Sequence, residues 1–330
     1  MTASVAKAVL KGHKSAIVSL FDVEKSGTSI LSSSYDGTVR LWDTRSKYAS
    51  VRLIRVPGDE QSAGFAKQSD GSVVVVANGS RLMGFDLRAD RGIIVSQPVT
   101  TFNTVSADDD INDFDVSGNT IAAPSDDGLV RLISLGTFTE HNCVSAHENI
   151  GAVARFLPSE NLFVSGGYDC KVSVSKREAG NKLSGAYRSF SIESLLPEDD
   201  EEEGPSSSSI NPPFVTSMEV SPCKNELAIG SGDGSLIVLD IHRGGSRVDS
   251  RRIAWGGSKV HGVSVSSISW SGKGDSLWSV GNDSVLLNMD QVRLQVRYDL
   301  GFKPNSVVSM GGGRVAVAGL QTEIELLEFR

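Results

Sequence analysis

Few residues in the chain have the types and spacing that catalysis or metal binding requires. The three cysteines, Cys143, Cys170 and Cys223, form no C-x-x-C pair and cannot all pair with one another. Neither a zinc site nor a disulfide framework is therefore predicted, and buried free thiols are expected. His13, His147 and His261 lie far apart in sequence, so they offer no local pair of metal ligands, and a structural role is predicted for them.

Carboxylates at Asp108, Asp109 and Asp110 form an acidic cluster beside a predicted strand. General acid catalysis needs a paired carboxyl group of shifted pKa, which three neighbouring aspartates do not by themselves supply. The sequence contains no G-x-S-x-G, G-x-x-x-x-G-K-[ST] or H-E-x-x-H motif. We therefore predict no enzyme activity, no catalytic residue and no cofactor, with hydrolysis at this cluster as the alternative.

Composition excludes several further classes of function. The 330 residues carry a formal net charge of −8, which disfavours nucleic-acid binding because phosphates require a clustered positive surface. No segment approaches the roughly 20 apolar residues of a membrane helix, and the N-terminus lacks the apolar core of a signal peptide. We expect no membrane association and a cytoplasmic or nuclear location.

One pattern recurs along the chain: a strand of small residues, an acidic turn, and a strand of alternating apolar residues. The turn aspartates Asp36 and Asp127 are 91 residues apart, which is two periods of about 45, and Asp127 and Asp169 are 42 residues apart. This period is typical of the sheets of a β-propeller. Asp-Gly between two alternating strands favours a hairpin. The five clearest copies are SSSYDGTVRLWD (Ser32–Asp43), APSDDGLVRLIS (Ala123–Ser134), SGGYDCKVSVSK (Ser165–Lys176), IGSGDGSLIVLD (Ile229–Asp240) and SVGNDSVLLNMD (Ser279–Asp290).

The repeats predict an all-β fold, a seven-bladed β-propeller in one domain spanning residues 1–330. In the first sheet four strands are expected, with Ser50–Val56 outermost. The innermost strands are expected to begin near Ile17, Ser62, Asp110, Ala152, Pro213, Ser264 and Pro304. The seventh sheet supplies three strands, so Val5–Leu10 is expected to be its fourth strand and to close the ring, which removes exposed edges.

An acidic and Ser/Pro-rich insertion at about residues 194–212 interrupts the repeats. Its composition cannot bury enough apolar surface to order itself, so a disordered loop between the fourth and fifth sheets is predicted. An acidic binding element is the alternative for this segment.

These residues resemble the WD-repeat family, most clearly in the first repeat, where Gly12-His13 precedes the inner strand and Trp42-Asp43 ends the third strand. The resemblance implies a hydrogen-bonded tetrad of His13, Ser32, Asp36 and Trp42. In the other repeats the tryptophan position holds Phe85, Ile133, Ser175, Leu239, Met289 and Leu327. The family resemblance also implies a protein-binding scaffold that is not an enzyme. The acidic insertion is similar to that of one small member of the family.

A second resemblance concerns the residues that follow the third strand. The segment ending Trp42-Asp43-Thr44-Arg45 resembles the W-D-x-R box of substrate receptors of cullin-four RING ubiquitin ligases, and Phe85-Asp86-Leu87-Arg88 repeats its end. This implies that Asp43, Arg45, Asp86 and Arg88 dock onto the DDB-type adaptor of such a ligase, with an unknown protein as substrate. Two alternatives remain: ordinary exposed arginines, and docking in a chromatin or trafficking complex unrelated to ubiquitin.

Overall fold

The structure, a computed structural model, consists of β-strands and one short 3-10 helix. It describes residues 5–23, 27–45, 50–57, 62–67, 73–88, 92–104, 106, 108–158, 162–177, 183–196, 211–223, 225–241, 248–290 and 293–329. Within these ranges no helix has the length and apolar character needed to cross a membrane.

The described part of the chain has 29 strands. In chain order they are β1 (Val5–Lys11), β2 (Ile17–Asp22), β3 (Ser29–Ser34), β4 (Thr38–Asp43), β5 (Ser50–Arg55), β6 (Ser62–Lys67), β7 (Val73–Asn78), β8 (Arg81–Asp86), β9 (Ile94–Val95), β10 (Thr100–Asn103), β11 (Asp115–Ser117), β12 (Thr120–Pro124), β13 (Leu129–Ser134), β14 (Glu140–Ser145), β15 (Gly151–Phe156), β16 (Leu162–Gly167), β17 (Lys171–Arg177), β18 (Leu183–Ser191), β19 (Val215–Val220), β20 (Glu226–Ser231), β21 (Ser235–Ile241), β22 (Val248–Lys259), β23 (Val265–Trp270), β24 (Leu277–Gly281), β25 (Val285–Asp290), β26 (Arg293–Asp299), β27 (Pro304–Gly311), β28 (Arg314–Gly319) and β29 (Glu323–Phe329).

These strands form seven sheets, six of four strands and one of five. The strand orders are β2-β3-β4-β5-β9, β6-β7-β8-β10, β11-β12-β13-β14, β15-β16-β17-β18, β19-β20-β21-β22, β23-β24-β25-β26 and β27-β28-β29-β1, called blades one to seven below. The innermost strand of each blade packs on that of the next, and β27 of blade seven packs on β2 of blade one. The ring is therefore closed, and the predicted seven-bladed β-propeller is confirmed.

Closure of the ring uses the two ends of the chain. Strand β1 pairs antiparallel with β29 from Val5 opposite Phe329 to Lys11 opposite Glu323. Leu10 is buried in the core between blades seven and one, and Lys7 Nζ lies 2.6 Å from the largely buried Glu325 carboxylate. The prediction that Val5–Leu10 supplies the fourth strand of the last blade is therefore correct, with Lys11 added to it.

Polar side chains also join the innermost strands of neighbouring blades. The Phe156 N–H donates to Asp115 Oδ2 at 2.8 Å, and the Trp270 N–H donates to Glu219 Oε2 at 2.8 Å. The Leu20 N–H donates to Ser306 Oγ at 3.0 Å, which joins blade seven to blade one. The innermost strands of neighbouring blades do not pair with each other in a β-ladder. These side chains therefore accept hydrogen bonds from backbone N–H groups that have no partner within their own sheet.

The innermost strand of blade three begins later than expected. We predicted a start near Asp110, whereas β11 starts at Asp115, and before it only Ile111 forms a bridge, with Ser125. The segment before β11 is held by other contacts: the Asn112 side chain donates to Asp126 Oδ1 and to the Gly151 carbonyl, and the Ile111 N–H donates to the Gly79 carbonyl of blade two. The other innermost strands begin within two residues of the predicted positions.

Blade one has a fifth strand that the repeat pattern did not indicate. β9, from the connection between β8 and β10 of blade two, pairs parallel with β5, with Leu53 opposite Ile94 and Ile54 opposite Val95. The expectation that Ser50–Val56 is the outermost strand of blade one is therefore wrong. The parallel pair protects part of an edge that would otherwise be open.

The first residues of the predicted insertion are ordered. Glu193–Leu195 form the 3-10 helix, and Leu195 is buried in the core cluster between blades four and five. The disordered insertion predicted at about 194–212 therefore does not begin at residue 194. Residues 197–210, which carry the acidic run, lie outside the described residues.

Candidate functional site

A hydrogen-bonded set in blade one contains the four residues that the resemblance singled out. His13 lies between β1 and β2, Ser32 in β3, Asp36 in the β3–β4 turn and Trp42 in β4. Trp42 Nε1 donates to Ser32 Oγ at 2.8 Å, Ser32 Oγ lies 2.7 Å from His13 Nε2, and His13 Nδ1 lies 3.0 Å from Asp36 Oδ2. A neutral His13 protonated on Nδ1 satisfies every member, and a fully satisfied buried set fixes the blade geometry.

The turn aspartate of blade one is held in its ionised form. Burial alone would raise the pKa of Asp36, but hydrogen bonds from His13, Thr38 and the Lys14 N–H outweigh burial and hold that pKa well below its ordinary value. The carboxylate therefore stays charged and continues to organise the turn at neutral pH.

Blades four and six keep three of the four residues. His147 lies 2.9 Å from Ser165 Oγ and 3.0 Å from Asp169, and His261 lies at the same two distances from Ser279 Oγ and Asp283. The tryptophan position holds Ser175 and Met289 there, and the buried Ser175 Oγ has no hydrogen-bond partner among the described residues. Burial lowers the pKa of His147, although Asp169 opposes this, so the neutral imidazole is favoured.

The connectivity of these sets is that of a Ser-His-Asp hydrolase triad, with serine on Nε2 and aspartate on Nδ1. A nucleophile must reach the substrate, however, and Ser32, Ser165 and Ser279 are fully buried. The three sets thus hold the strands and turns of their own blades together.

Blade three replaces histidine by an arginine that the sequence analysis did not single out. The nearly buried Arg131 guanidinium bonds to Asp127 in the β12–β13 turn and to Ser125 Oγ. The available signal was the shared V-R-L of the first and third repeats, which places Arg131 in the register of Arg40. With no histidine before blade three, arginine supplies the positive partner of the turn aspartate.

The four docking candidates lie at equivalent places in blades one and two, just after their third strands. The Asp43 carboxylate accepts from the Arg45 N–H at 2.9 Å, from Arg45 Nε at 3.0 Å and from Nη2 at 3.1 Å. The Asp86 carboxylate accepts from the same three atoms of Arg88 at 2.8, 3.2 and 3.2 Å. The side chains of Arg45 and Arg88 are 70% and 66% exposed.

This geometry presents two oriented guanidinium groups to solvent. Each aspartate holds one edge of its arginine in a bidentate contact, which restrains a side chain that would otherwise lose much rotamer freedom on binding. Both arginine side chains remain largely exposed beside their aspartates. Such a pair of sites suits carboxylates or carbonyls on another protein.

The remaining candidates show no common site. Asp108 and Asp110 are exposed and Asp109 is half-buried, in the segment before β11. Among the described residues no group of three His, Cys, Asp or Glu side chains could hold a metal ion.

The expectation of buried thiols is wrong. Cys143 and Cys223 are exposed and Cys170 is half-buried, and all three are free. Cys143 lies in the outermost strand β14 and Cys170 in a turn, two places where a strand pattern does not distinguish an inward from an outward side chain. Burial raises the pKa of Cys143, as it does for Cys170, and neighbouring carboxylates add to both shifts. Raised thiol pKa values disfavour a reactive thiolate.

Known proteins with similar sequence and structure agree with this description. The family model "WD domain, G-beta repeat" matches residues 5–43 and 133–174. The first match runs from β1 to β4 and contains the His13 set, and the second runs from the end of β13 in blade three to β17 in blade four and contains the His147 set. A curated protein of Dictyostelium discoideum, "WD repeat-containing protein 53 homolog", is 25% identical over 247 residues, 70% of this chain.

That match spans 64% of the Dictyostelium protein, so the chain covers less than two thirds of this relative's length. The name of this relative is also that of the small WD-repeat protein whose acidic insertion is similar to the insertion at about residues 194–212 of this chain. Among solved structures, the chain is similar to the WD40 β-propeller domain of Doa1, with a TM-score of 0.74 and 18% identity over 97% of this chain and 95% of that one. At this identity the likeness concerns the fold. The chain is a seven-bladed β-propeller with the fold of WD40 propellers, and two of its segments, residues 5–43 and 133–174, match the WD-repeat model.

Proposed function

We propose that this propeller, a fold of protein-interaction scaffolds, is a substrate receptor of a cullin-four RING ubiquitin ligase and docks on its DDB-type adaptor through Arg45 and Arg88. The observation that carries the proposal is the repetition of one Arg-Asp geometry in two adjacent blades. A capped strand turn needs the aspartate but not an exposed, restrained arginine two residues later. A shared binding partner explains two such arginines in adjacent blades better than chance does.

The scaffold role itself agrees with the rest of the molecule. The serines of the Ser-His-Asp sets are buried inside their blades, where these sets stabilise strands and turns and do not reach a substrate. Binding is therefore the activity that the described surface supports. The substrate would bind elsewhere on the propeller while the adaptor occupies blades one and two.

Docking can be tested with the purified adaptor and the variant Arg45→Ala/Arg88→Ala. We expect this double variant to lose at least tenfold in affinity, since a buried interfacial arginine can contribute about 2 kcal/mol or more. Thermal unfolding should change little, because exposed side chains contribute little to stability.

The matched control is Arg293→Ala/Arg297→Ala, which removes two exposed arginines from β26 of blade six. This variant should bind as the unmodified protein does. The proposal is wrong if the unmodified protein does not bind the adaptor, or if the Arg45/Arg88 variant binds it equally well. Partners recovered with the tagged protein from cells would then identify the other assembly, such as a chromatin or trafficking complex, that the scaffold serves.

A further inference from the structure

Large apolar side chains are exposed at the outer edge of blade one. Val51 is 47% exposed, Ile93 69% and Ile94 53%, and we call these three residues the rim cluster. They make up a third of the large hydrophobic residues that are exposed in the described part of the chain. Single exposed apolar side chains need no explanation, but a group of them on an otherwise charged surface marks a site of interaction.

The rim cluster results from the unexpected strand of blade one. The Leu53 N–H donates to the Ile93 carbonyl at 2.8 Å, and β9 continues this pairing. Ile54 and Val95 are opposite each other and both are buried. Because side chains alternate along a strand, Ile94 faces the opposite way from Val95, toward solvent. Val51 is exposed at an irregularity in the pairing of β5 with β4.

Arg52 of β5 forms hydrogen bonds with the segment that leads into β9. The Arg52 guanidinium donates through Nη2 to the Leu87 carbonyl at 3.0 Å and through Nη1 to the Gly92 carbonyl. Leu87 precedes Arg88, and Gly92 precedes Ile93. One side chain thus holds both ends of the segment between the docking arginine of blade two and the rim cluster.

Arg52 therefore links the rim cluster to the segments that carry Arg45 and Arg88. Arg52 lies in β5 opposite Leu41, two residues before Asp43 in the neighbouring strand. Arg55, also exposed, is at the end of the same strand β5. Around the apolar residues the described surface accordingly carries several arginines, in a chain whose formal net charge is −8.

We propose that the rim cluster is the apolar half of the docking surface whose charged half is Arg45 and Arg88, and that its occupant is an apolar patch of the adaptor bordered by carboxylates. This inference rests on the proposed function. Stable interfaces have an apolar centre and a polar rim, and exposed ion pairs alone contribute little free energy. The arginines orient the partner, and the rim cluster supplies the apolar area that keeps it bound.

The test removes the apolar side chains and leaves every arginine in place. The variant Ile93→Ser/Ile94→Ser keeps the backbone pairing of β9, and the matched control Leu294→Ser/Leu320→Ser removes two leucines that are 52% and 58% exposed on blades six and seven. Affinity for the purified adaptor is measured by calorimetry at two salt concentrations. Thermal unfolding and sedimentation velocity are recorded for each protein.

We expect the rim variant to bind at least tenfold more weakly and the control to bind normally, both with unchanged unfolding. The affinity of the rim variant should keep the salt dependence of the unmodified protein, whereas that of the Arg45/Arg88 variant should lose part of it. If the unmodified protein binds and the rim variant binds equally well, the rim cluster is not part of the interface although the proposed function stands. Absence of binding by the unmodified protein overturns both proposals.

A second copy of this chain is the competing occupant. If the unmodified protein forms a dimer in sedimentation that the rim variant loses while adaptor binding is retained, the cluster serves self-association and our inference is wrong. If the protein is monomeric and the rim variant loses adaptor binding, this result supports docking of the adaptor on the rim cluster.

Discussion

Single residues in this propeller act through complete hydrogen-bonded sets. In blade one, tryptophan, serine, histidine and aspartate pass hydrogen bonds in one direction from strand to turn, with distances of 2.7 to 3.0 Å. Blades four and six lack the tryptophan and keep the other three members, and blade three uses Arg131 instead of histidine. The turn aspartate is the constant partner because it must bind the N–H groups of its own turn, whichever side chain donates to it from the blade.

Trp42→Ala should destabilise the protein by about 3 to 5 kcal/mol, because it leaves a large cavity and removes the indole N–H that donates to Ser32. Trp42→Phe, which keeps an aromatic ring at this position but loses the indole N–H and part of the ring volume, should cost clearly less. Urea unfolding of both variants measures the difference. A loss below about 1 kcal/mol for Trp42→Ala would contradict the buried tetrad.

At the scale of elements, the hairpin turns between second and third strands decide how well each blade is formed. Blades one, three and five have glycine with positive φ in this turn, at 72° for Gly37, 75° for Gly128 and 90° for Gly234. Blades four and six have Cys170 at 59° and Ser284 at 65° instead. A side chain in this left-handed region costs about 1 to 2 kcal/mol, so these two turns are strained.

Cys170→Gly and Ser284→Gly should therefore each stabilise the protein by about 0.5 to 1 kcal/mol. The gain is the relief of the left-handed conformation, reduced by the greater flexibility of glycine in the unfolded chain. Denaturant midpoints measure the gain for each variant. Gly37→Ala is the control and should destabilise, so a stabilised Gly37→Ala variant, or an unstabilised pair of glycine variants, would contradict this explanation.

At the scale of the whole molecule, stability depends on closing the ring. Each blade packs on its neighbours, and blade seven is complete only when β1 joins β29. Residues at opposite ends of the chain thus share one core, which contains Leu10, Trp42 and Ile324. Breaking this junction leaves two blades with exposed faces and one strand with an open edge.

Removal of residues 1–11 should lower the free energy of unfolding by several kcal/mol, because it exposes the apolar residues behind Leu10 and leaves the buried Glu325 without Lys7. Removal of residues 1–4 alone is the control and should change little, since β1 remains. Calorimetric unfolding of the two truncated proteins checks the prediction. Equal unfolding temperatures for the longer truncation and the full chain would show that closure by β1 contributes little.

The sequence by itself determined the repeat, the number of blades and the strand that closes the ring. These features follow from short-range signals: alternation along strands such as Thr38–Asp43, turn residues such as Asp36 and Gly37, and a regular spacing between copies. They act within one hairpin, so they are visible before the chain is folded. The family resemblance added the tetrad of blade one, which the structure brings together at hydrogen-bond distances.

Only the tertiary structure decided which residues lie together at the edge of blades one and two. A two-residue parallel strand such as β9 has no periodicity and no characteristic turn in the sequence by which it could be predicted. It pairs with β5, and Arg52 of β5 bonds to the Leu87 carbonyl that precedes it. The exposure of Cys143 and Cys223 likewise depends on how their segments pack in the folded chain. Contacts of this kind arise from packing between blades, and local sequence patterns do not encode that packing.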